Sequence, residues 1–179
     1  MRKMTLILGG ARSGKSTYAQ DLATKIGGRV IYAATAEVGD DEMRERIAAH
    51  QAERPKNWRT VEAPMQVGTA LMSEVGIADV ILLDCVTLLA SNVLLSLPES
   101  ATLDEVQRQM DGEIDGLLAA IAQGKADWII VSNEVGLGLV PAYPLGRTYR
   151  DVLGRANQRL ALVADEVLFM VAGLPLKVK

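Results

Sequence analysis

The sequence predicts an α/β fold: a mostly parallel sheet flanked by helices, in a single domain spanning residues 1–179. Three observations carry this expectation. Short apolar runs that read as strands alternate with segments of helical periodicity. The runs are continuously apolar, as strands covered on both faces are. Between the first run and the first helical segment lies "GGARSGKS", Gly9 to Ser16, a loop rich in glycine. A chain of 179 residues suits one domain with a substantial core.

"MTLIL" (4–8) is the first buried strand, ended by glycines. Ala19, Leu22, Ala23 and Ile26 follow at helical spacing, and Gly27-Gly28 stops that helix. "RVIYAAT" (29–35) is a second strand. Asp40 or Asp41 caps a helix that runs to about Glu53 and ends before Pro55. Pro64 opens another helix, with Val67, Ala70, Leu71 and Val75 on one side. "DVILLDC" (79–85) is the third strand, and "VTLLASNVLLSL" continues as a helix. Thr102 and Glu105 form a capping box for a long helix whose apolar face is Leu103, Val106, Met110, Ile114, Leu117 and Ile121, with Gly124 as its stop. "DWIIVSN" (127–133) is the fourth strand. "EVGLGLVPAYPLG" reads as a loop, a helix spans roughly 147–164 and "EVLFMVAG" (166–173) is the fifth strand. "LPLKVK" is a candidate sixth. No repeat and no low-complexity segment interrupts the pattern.

Composition narrows the function. Apolar residues make up 49% with a single Phe, so the core is built from Leu, Ile, Val, Ala and Met. A net charge of −3 argues against a surface that holds nucleic acid by charge. The single cysteine, Cys85, rules out an intrachain disulfide and, with a single histidine, a Cys/His zinc pattern. The chain suits a reducing cytoplasm. The apolar run near the start is too short for a signal peptide, and no run approaches the length needed to insert in a membrane.

Gly9 to Ser16 matches G-x-x-x-x-G-K-[ST] in the context that pattern requires, between a strand and a helix. Glycines let backbone N–H groups converge on phosphate oxygens, and the helix N-terminus adds partial positive charge. In such a loop Lys15 reaches the β- and γ-phosphates and the Ser16 hydroxyl ligates Mg²⁺. A metal-bound nucleotide also needs a carboxylate at a strand's carboxyl end. Asp84 is placed for that, or for capping the following helix. Glu134 reads either as a second such acid or as a solvated loop residue. These residues define a Mg²⁺-dependent nucleotide-binding protein: a kinase, an NTPase or a nucleotide-gated switch. No N-K-x-D base-specificity motif is present.

Six stretches together resemble one family. They are "GGARSGKS", "YAAT", "DDEMRERIAAHQAERPKNWRTVEAP", "ILLDCVT", "VSNEVGLGLVP" and "GRANQRLALVADEVLFMVAGLPLKVK". In order and spacing they are similar to the bifunctional adenosylcobinamide kinases and adenosylcobinamide-phosphate guanylyltransferases of cobalamin biosynthesis. The most specific parts are the segment around His50, "W-R-T-x-E" at 58–62 and "N-E-V-G" at 133–136. The resemblance covers essentially the whole chain. It implies a RecA-like P-loop NTPase fold, usually as a homo-oligomer. It also implies two reactions. The first is phosphorylation of the aminopropanol hydroxyl of adenosylcobinamide by ATP or GTP. The second is transfer of GMP from GTP to the resulting phosphate through a guanylylated histidine.

The family histidine falls on His50, and Lys15 is the second catalytic candidate. Nucleotide contacts fall on Gly9, Gly10, Ala11, Arg12, Ser13, Gly14, Lys15 and Ser16, on Ala34, Thr35 and Ala36, on Gln51, Ala52, Glu53 and Arg54, and on Glu62 and Asp84. Some members carry two adjacent histidines; here the first position is Ala49. On a helix over 41–53, Met43, Ile47 and His50 share a stripe at i, i+4, i+7, and the stripe continues toward Arg54. A helix end facing inward with His and Arg suits an anionic ligand, and neutral imidazole is a competent nucleophile at phosphorus. Alternatives remain for several residues. Thr35 reads as a nucleotide contact or a strand-end cap, and Glu62 as a contact or an exposed strand residue. Trp58 reads as a ligand platform or a structural anchor. Arg147, Arg150, Arg155 and Arg159 read as a phosphate or subunit contact, or as a solvated face.

Overall fold

The computed structural model describes residues 2–37 and 54–179. The expected helix over 41–53, with His50, Gln51, Ala52 and Glu53, lies outside the described residues. The described chain runs β1 (Met4–Gly9), α1 (Lys15–Ile26), β2 (Val30–Ala34), β3 (Arg59–Glu62), α2 (Val67–Leu71), β4 (Val80–Asp84), α3 (Val86–Ser96), α4 (Leu103–Gln123), β5 (Asp127–Val131), α5 (Pro144–Val163), β6 (Glu166–Val171) and β7 (Leu174–Lys177).

Among the described residues the strands form one sheet in the order β3-β2-β4-β5-β1-β6-β7. All pairs are parallel except β6 with β7, which is an antiparallel hairpin. "LPLKVK" therefore does supply a strand. The expected parallel sheet flanked by helices is the fold observed.

Alternation along each strand divides the core in two. Ile7, Val30, Tyr32, Val80, Leu82, Ile129 and Val131 point to one face, where Ala19 and Ala23 of α1 cover them. Leu6, Ile31, Ile81, Leu83, Trp128 and Ile130 point to the other, under α2, α3, α4 and α5. The long helix α4 turns Val106, Met110, Ile114, Leu117 and Ile121 inward, each at most 5% exposed. Each such side chain contributes roughly 1.5–3 kcal/mol on burial. Thr102 and Glu105 form the reciprocal capping box that the sequence predicts.

Three boundaries differ from expectation. The strand β3 follows no apolar run, though it ends at Glu62, for which an exposed strand position is one reading: it is four residues long, sits at the sheet edge and is mostly exposed. The helix expected from Pro64 starts only at Val67. Gln66 adopts φ 52°, and the Glu113 carboxylate of α4 accepts the N–H groups of Gln66 and Val67, setting the start from outside the segment. The late helix begins at Pro144, which occupies its first turn, where a missing N–H costs nothing.

The α2–α4 contact requires glycine at one point. A Cβ on Gly68 would overlap the backbone carbonyl of Gly116. Gly154, in the interior of α5, meets nothing within 4 Å. Gly68→Ala is therefore expected to cost about 1–3 kcal/mol of stability by overpacking. Gly154→Ala should instead add up to about 1 kcal/mol through helix propensity. Urea denaturation of both variants measures the pair; equal shifts would mean that α2 and α4 are not in close contact.

Candidate nucleotide site

The site follows from strand register. Glu62 pairs with Ala34, Ala34 with Asp84, Asp84 with Val131 and Val131 with Ile7. These five residues form one row across the carboxyl edge of the parallel strands. The loop that leaves β1 toward α1 passes over the α1 side of this edge. Between loop and row lies a cleft of about 780 Å³, lined by Ala11 to Thr17, Tyr32, Ala34, Ala36, Glu37, Arg54, Glu62, Pro64, Asp84, Cys85, Thr87, Leu88, Val131 and Asn133. That volume lies in the range of small-ligand clefts.

The loop is built for close approach. Gly9 has φ 153°, and a Cβ there would strike the Ser13 hydroxyl and the Met170 carbonyl. Gly14, the N-cap of α1, has φ 90° and packs against Gly173 in the turn between β6 and β7. The Gly173 N–H donates to the Ser13 carbonyl at 3.0 Å, so that hairpin braces the loop from behind. Lys15 is 7% exposed, and its Nζ donates to the Gly10 carbonyl at 2.6 Å. Burial holds its pKa below the ordinary lysine value, while the neighbouring Cys85 and Asp84 act in the opposite sense. An anionic phosphate placed beside it would likewise favour the charged form.

Asp84 faces the loop from the end of β4. The Tyr32 hydroxyl donates to its Oδ2 at 2.9 Å. Burial first, then the Asp84 charge, push the Tyr32 phenol far above its ordinary pKa, so it stays a donor. The Arg54 guanidinium lies 3.5 Å from the centroid of the Tyr32 ring, a cation–π contact. Burial also raises the Cys85 thiol to about 11, which makes it a neutral wall residue at physiological pH.

Of the residues expected to contact nucleotide, Ala11, Arg12, Ser13, Gly14, Lys15, Ser16, Ala34, Ala36, Arg54, Glu62 and Asp84 line this one cleft. Gly9, Gly10 and Thr35 do not. Gly9 packs against Ser13 and Met170, and the Gly10 carbonyl accepts Lys15 Nζ. Thr35 is completely buried, and its hydroxyl is spent on Cys85, accepting from the Cys85 N–H at 2.8 Å and donating to the Cys85 carbonyl at 2.7 Å. Those bonds suit the reading as a strand-end cap. Asn92 completes the joint, its Nδ2 donating to the Thr35 and Pro64 carbonyls, both at 2.8 Å.

Other candidates make contacts within the chain. The Glu134 carboxylate accepts the Gly136 N–H at 2.5 Å and its own N–H donates to the Gly9 carbonyl at 3.0 Å, so it ties the end of β5 to the loop. Trp58 is half-buried and packs on the α1-side core. Arg147 donates to the Pro141 and Ala142 carbonyls, Arg150 pairs with Asp151, Arg155 with the Gln107 amide, and Arg159 with Asp111 and Asp115. The late-helix arginines are thus bound within the chain. Tyr32, Thr87, Leu88, Val131 and Asn133 also line the cleft; apart from Leu88 they fall within stretches that carry the resemblance, with no individual role assigned to them. For Tyr32, Val131 and Asn133 the signal is parity with Asp84 along neighbouring strands, visible once the strand order is known; Thr87 and Leu88 enter from the first turn of α3.

A glycine loop closing on a buried lysine, opposite a carboxylate at the edge of a parallel sheet, defines a P-loop nucleotide-binding protein of the α/β class. Comparison with known proteins narrows this class. Residues 5–178 match the family model described as cobinamide kinase / cobinamide phosphate guanyltransferase, and the chain belongs to that family of enzymes. It is 43% identical to the bifunctional adenosylcobalamin biosynthesis protein CobU of Salmonella typhimurium, over 98% of this chain and 99% of the relative. It is 46% identical to the bifunctional adenosylcobalamin biosynthesis protein CobP of Pseudomonas aeruginosa, over 97% and 96% respectively. With the Escherichia coli CobU it shares 39% over 98% and 99%.

Thr35→Val separates the two readings of that residue. Removing the hydroxyl leaves the Cys85 N–H unpaired, while its carbonyl keeps the Leu89 N–H, an expected loss of about 1–3 kcal/mol in urea denaturation. Titration with a fluorescent GTP analogue should give nearly unchanged affinity in the folded variant. Weakened nucleotide binding at unchanged stability would instead make Thr35 a ligand contact.

Proposed function

We propose that this chain phosphorylates the aminopropanol hydroxyl of adenosylcobinamide with ATP or GTP. It then transfers GMP from GTP to that phosphate, giving adenosyl-GDP-cobinamide and pyrophosphate. The observation that carries the proposal is the single cleft that gathers Lys15, Ser16, Arg54 and Asp84 around one phosphate loop. The match to the family over nearly the whole chain supports the same reading.

The residues fit a nucleotide-borne Mg²⁺. Asp84 and Ser16 line the same cleft. Among the described residues no group of three or more His, Cys, Asp or Glu is placed to hold a metal alone. One carboxylate and one hydroxyl, completed by phosphate oxygens and water, is a common Mg²⁺ environment. When bound, Mg²⁺ neutralises developing phosphate charge. The loop amides and Lys15 hold the polyphosphate in both reactions and stabilise the departing charge.

His50 is the proposed nucleophile for the second reaction. Glu37 and Arg54, the described residues on either side of 38–53, both line the cleft. A neutral imidazole nitrogen attacks the α-phosphorus of GTP, forming an N–P bond as the bond to pyrophosphate breaks. A phosphate oxygen of adenosylcobinamide phosphate then attacks the same phosphorus, and the N–P bond breaks to restore His50.

No helix among the described residues is long and apolar enough to cross a membrane, in keeping with a proposed cytoplasmic location. A homo-oligomer is supported by the exposed apolar side chains Leu137, Leu139, Val140 and Tyr143 in one loop.

Two variants test the proposal. Lys15→Ala removes the main side-chain charge offered to the phosphates and should slow both reactions by about 3 kcal/mol at the transition state, more than 100-fold. Near-normal turnover in either would refute a shared cradle. His50→Asn should abolish the acid-labile GMP–protein adduct, seen by mass spectrometry after incubation with GTP, and drop guanylyl transfer by several orders of magnitude. Phosphorylation of adenosylcobinamide should largely persist. Wild-type rates of GMP transfer by this variant would remove His50 from the chemistry.

A further inference from the structure

The "N-E-V-G" stretch divides into two roles, and one of them faces the cleft. Glu134 and Gly136 form a turn closed on itself. Asn133 lines the cleft. It follows β5, which lies between β1, the strand that delivers the phosphate loop, and β4, which ends at Asp84. Val131 is in register with both Ile7 and Asp84, so Asn133, two residues on, stands between loop and carboxylate at the sheet edge.

Its backbone is held by dedicated side chains. The Asn133 N–H donates to Thr87 Oγ1 at 2.7 Å, and its carbonyl accepts Asn157 Nδ2 at 3.0 Å. Thr87 and Asn157 are 9% and 5% exposed, and the Tyr149 hydroxyl donates to the Thr87 carbonyl at 3.1 Å. Two helices, α3 and α5, thus spend buried polar groups on fixing one cleft residue. Such support is how a functional side chain acquires a defined position.

The chemistry of an amide suits this place. The loop N–H groups and Lys15 offer donors, and the Ser16 and Asp84 oxygens serve the proposed Mg²⁺ site, Asp84 Oδ2 already accepting the Tyr32 hydroxyl. An alcohol approaching phosphorus needs an acceptor for its O–H, and the phosphoryl oxygens need donors. A carboxylate here would repel the phosphate; a neutral amide supplies both groups without charge. We infer that Asn133 positions the acceptor alcohol of the kinase reaction, its Oδ1 receiving the hydroxyl and its Nδ2 donating to the transferred phosphoryl group. The inference rests on the proposed kinase activity. In the step, the alcohol oxygen bonds the γ-phosphorus, the β–γ bridging bond breaks to release the nucleoside diphosphate, and the hydroxyl proton passes to solvent. Asn133 orients the groups and takes no proton.

The test compares Asn133→Ala and Asn133→Gln with wild type in three measurements: affinity for a fluorescent GTP analogue, GMP incorporation into protein, and kinase kcat/KM with adenosylcobinamide. For the alanine variant kinase kcat/KM should fall about 100-fold, nucleotide affinity should stay within about threefold, and GMP incorporation should fall less than about tenfold. The glutamine variant keeps the amide but displaces it by a methylene, and should show the same selective kinase loss. It decides the matter if alanine prevents folding, as judged by thermal denaturation. Kinase kcat/KM within about fivefold of wild type in a folded variant overturns the inference. Equal loss in all three measurements also overturns it, by making Asn133 merely structural. A wild-type protein that does not phosphorylate adenosylcobinamide refutes the proposed function itself.

Discussion

Parallel register at the carboxyl edge of the sheet is the constraint on which the site depends. Glu62, Ala34, Asp84, Val131 and Ile7 stand in one row because their strands run in the same direction and pair without offset. Side chains alternate along a strand, so a slip of one residue in β4 would turn Asp84 away from the loop and send Leu83 toward it. That slip is opposed by both faces at once. Val80 and Leu82 are buried under α1, while Ile81 and Leu83 are buried beneath the helices of the other face. The hydrophobic core thus sets the orientation of the one carboxylate that ends β4.

Around that row, polar groups are held by other polar groups. Tyr32 holds Asp84, Thr35 bridges the backbone of Cys85, and Thr87 with Asn157 holds Asn133. Each bond adds about 1 kcal/mol net, yet leaving one such buried group unpaired would cost more than that. The practical effect is positional: the strand ends cannot drift relative to the phosphate loop. The loop itself is braced through Gly173, so even the β6–β7 hairpin, remote from the cleft in sequence, contributes to its shape.

Charge in the cleft is arranged with similar economy. Cys85 and Tyr32 remain neutral because burial disfavours their anions. Arg54 rests on the Tyr32 ring, an arrangement that orients a guanidinium without neutralising it. Lys15 sits in partial desolvation, a condition that strengthens its attraction to any phosphate that enters.

Features governed by neighbours in sequence were legible from the sequence. The capping box of Thr102 and Glu105, the stop at Gly27-Gly28, the glycine loop and the apolar face of α4 all depend on contacts within a few residues. Features governed by distant residues were not. The strand β3 forms because β2 offers an edge, and the start of α2 is set by Glu113, some 46 residues away. Thr35 resembles a cleft residue by position, yet Cys85 takes up its hydroxyl. Tyr32 and Asn133 fall within the quoted "YAAT" and "N-E-V-G" stretches, yet only the strands beside them bring their side of the chain to the cleft. The sequence by itself determined the glycine strand–loop–helix, most of the helical and strand segments, and the identity of Lys15 and Asp84 as candidates. Tertiary structure alone decided which of these meet, since strand order and register come from burial across the whole sheet and cannot be read from any local run of residues.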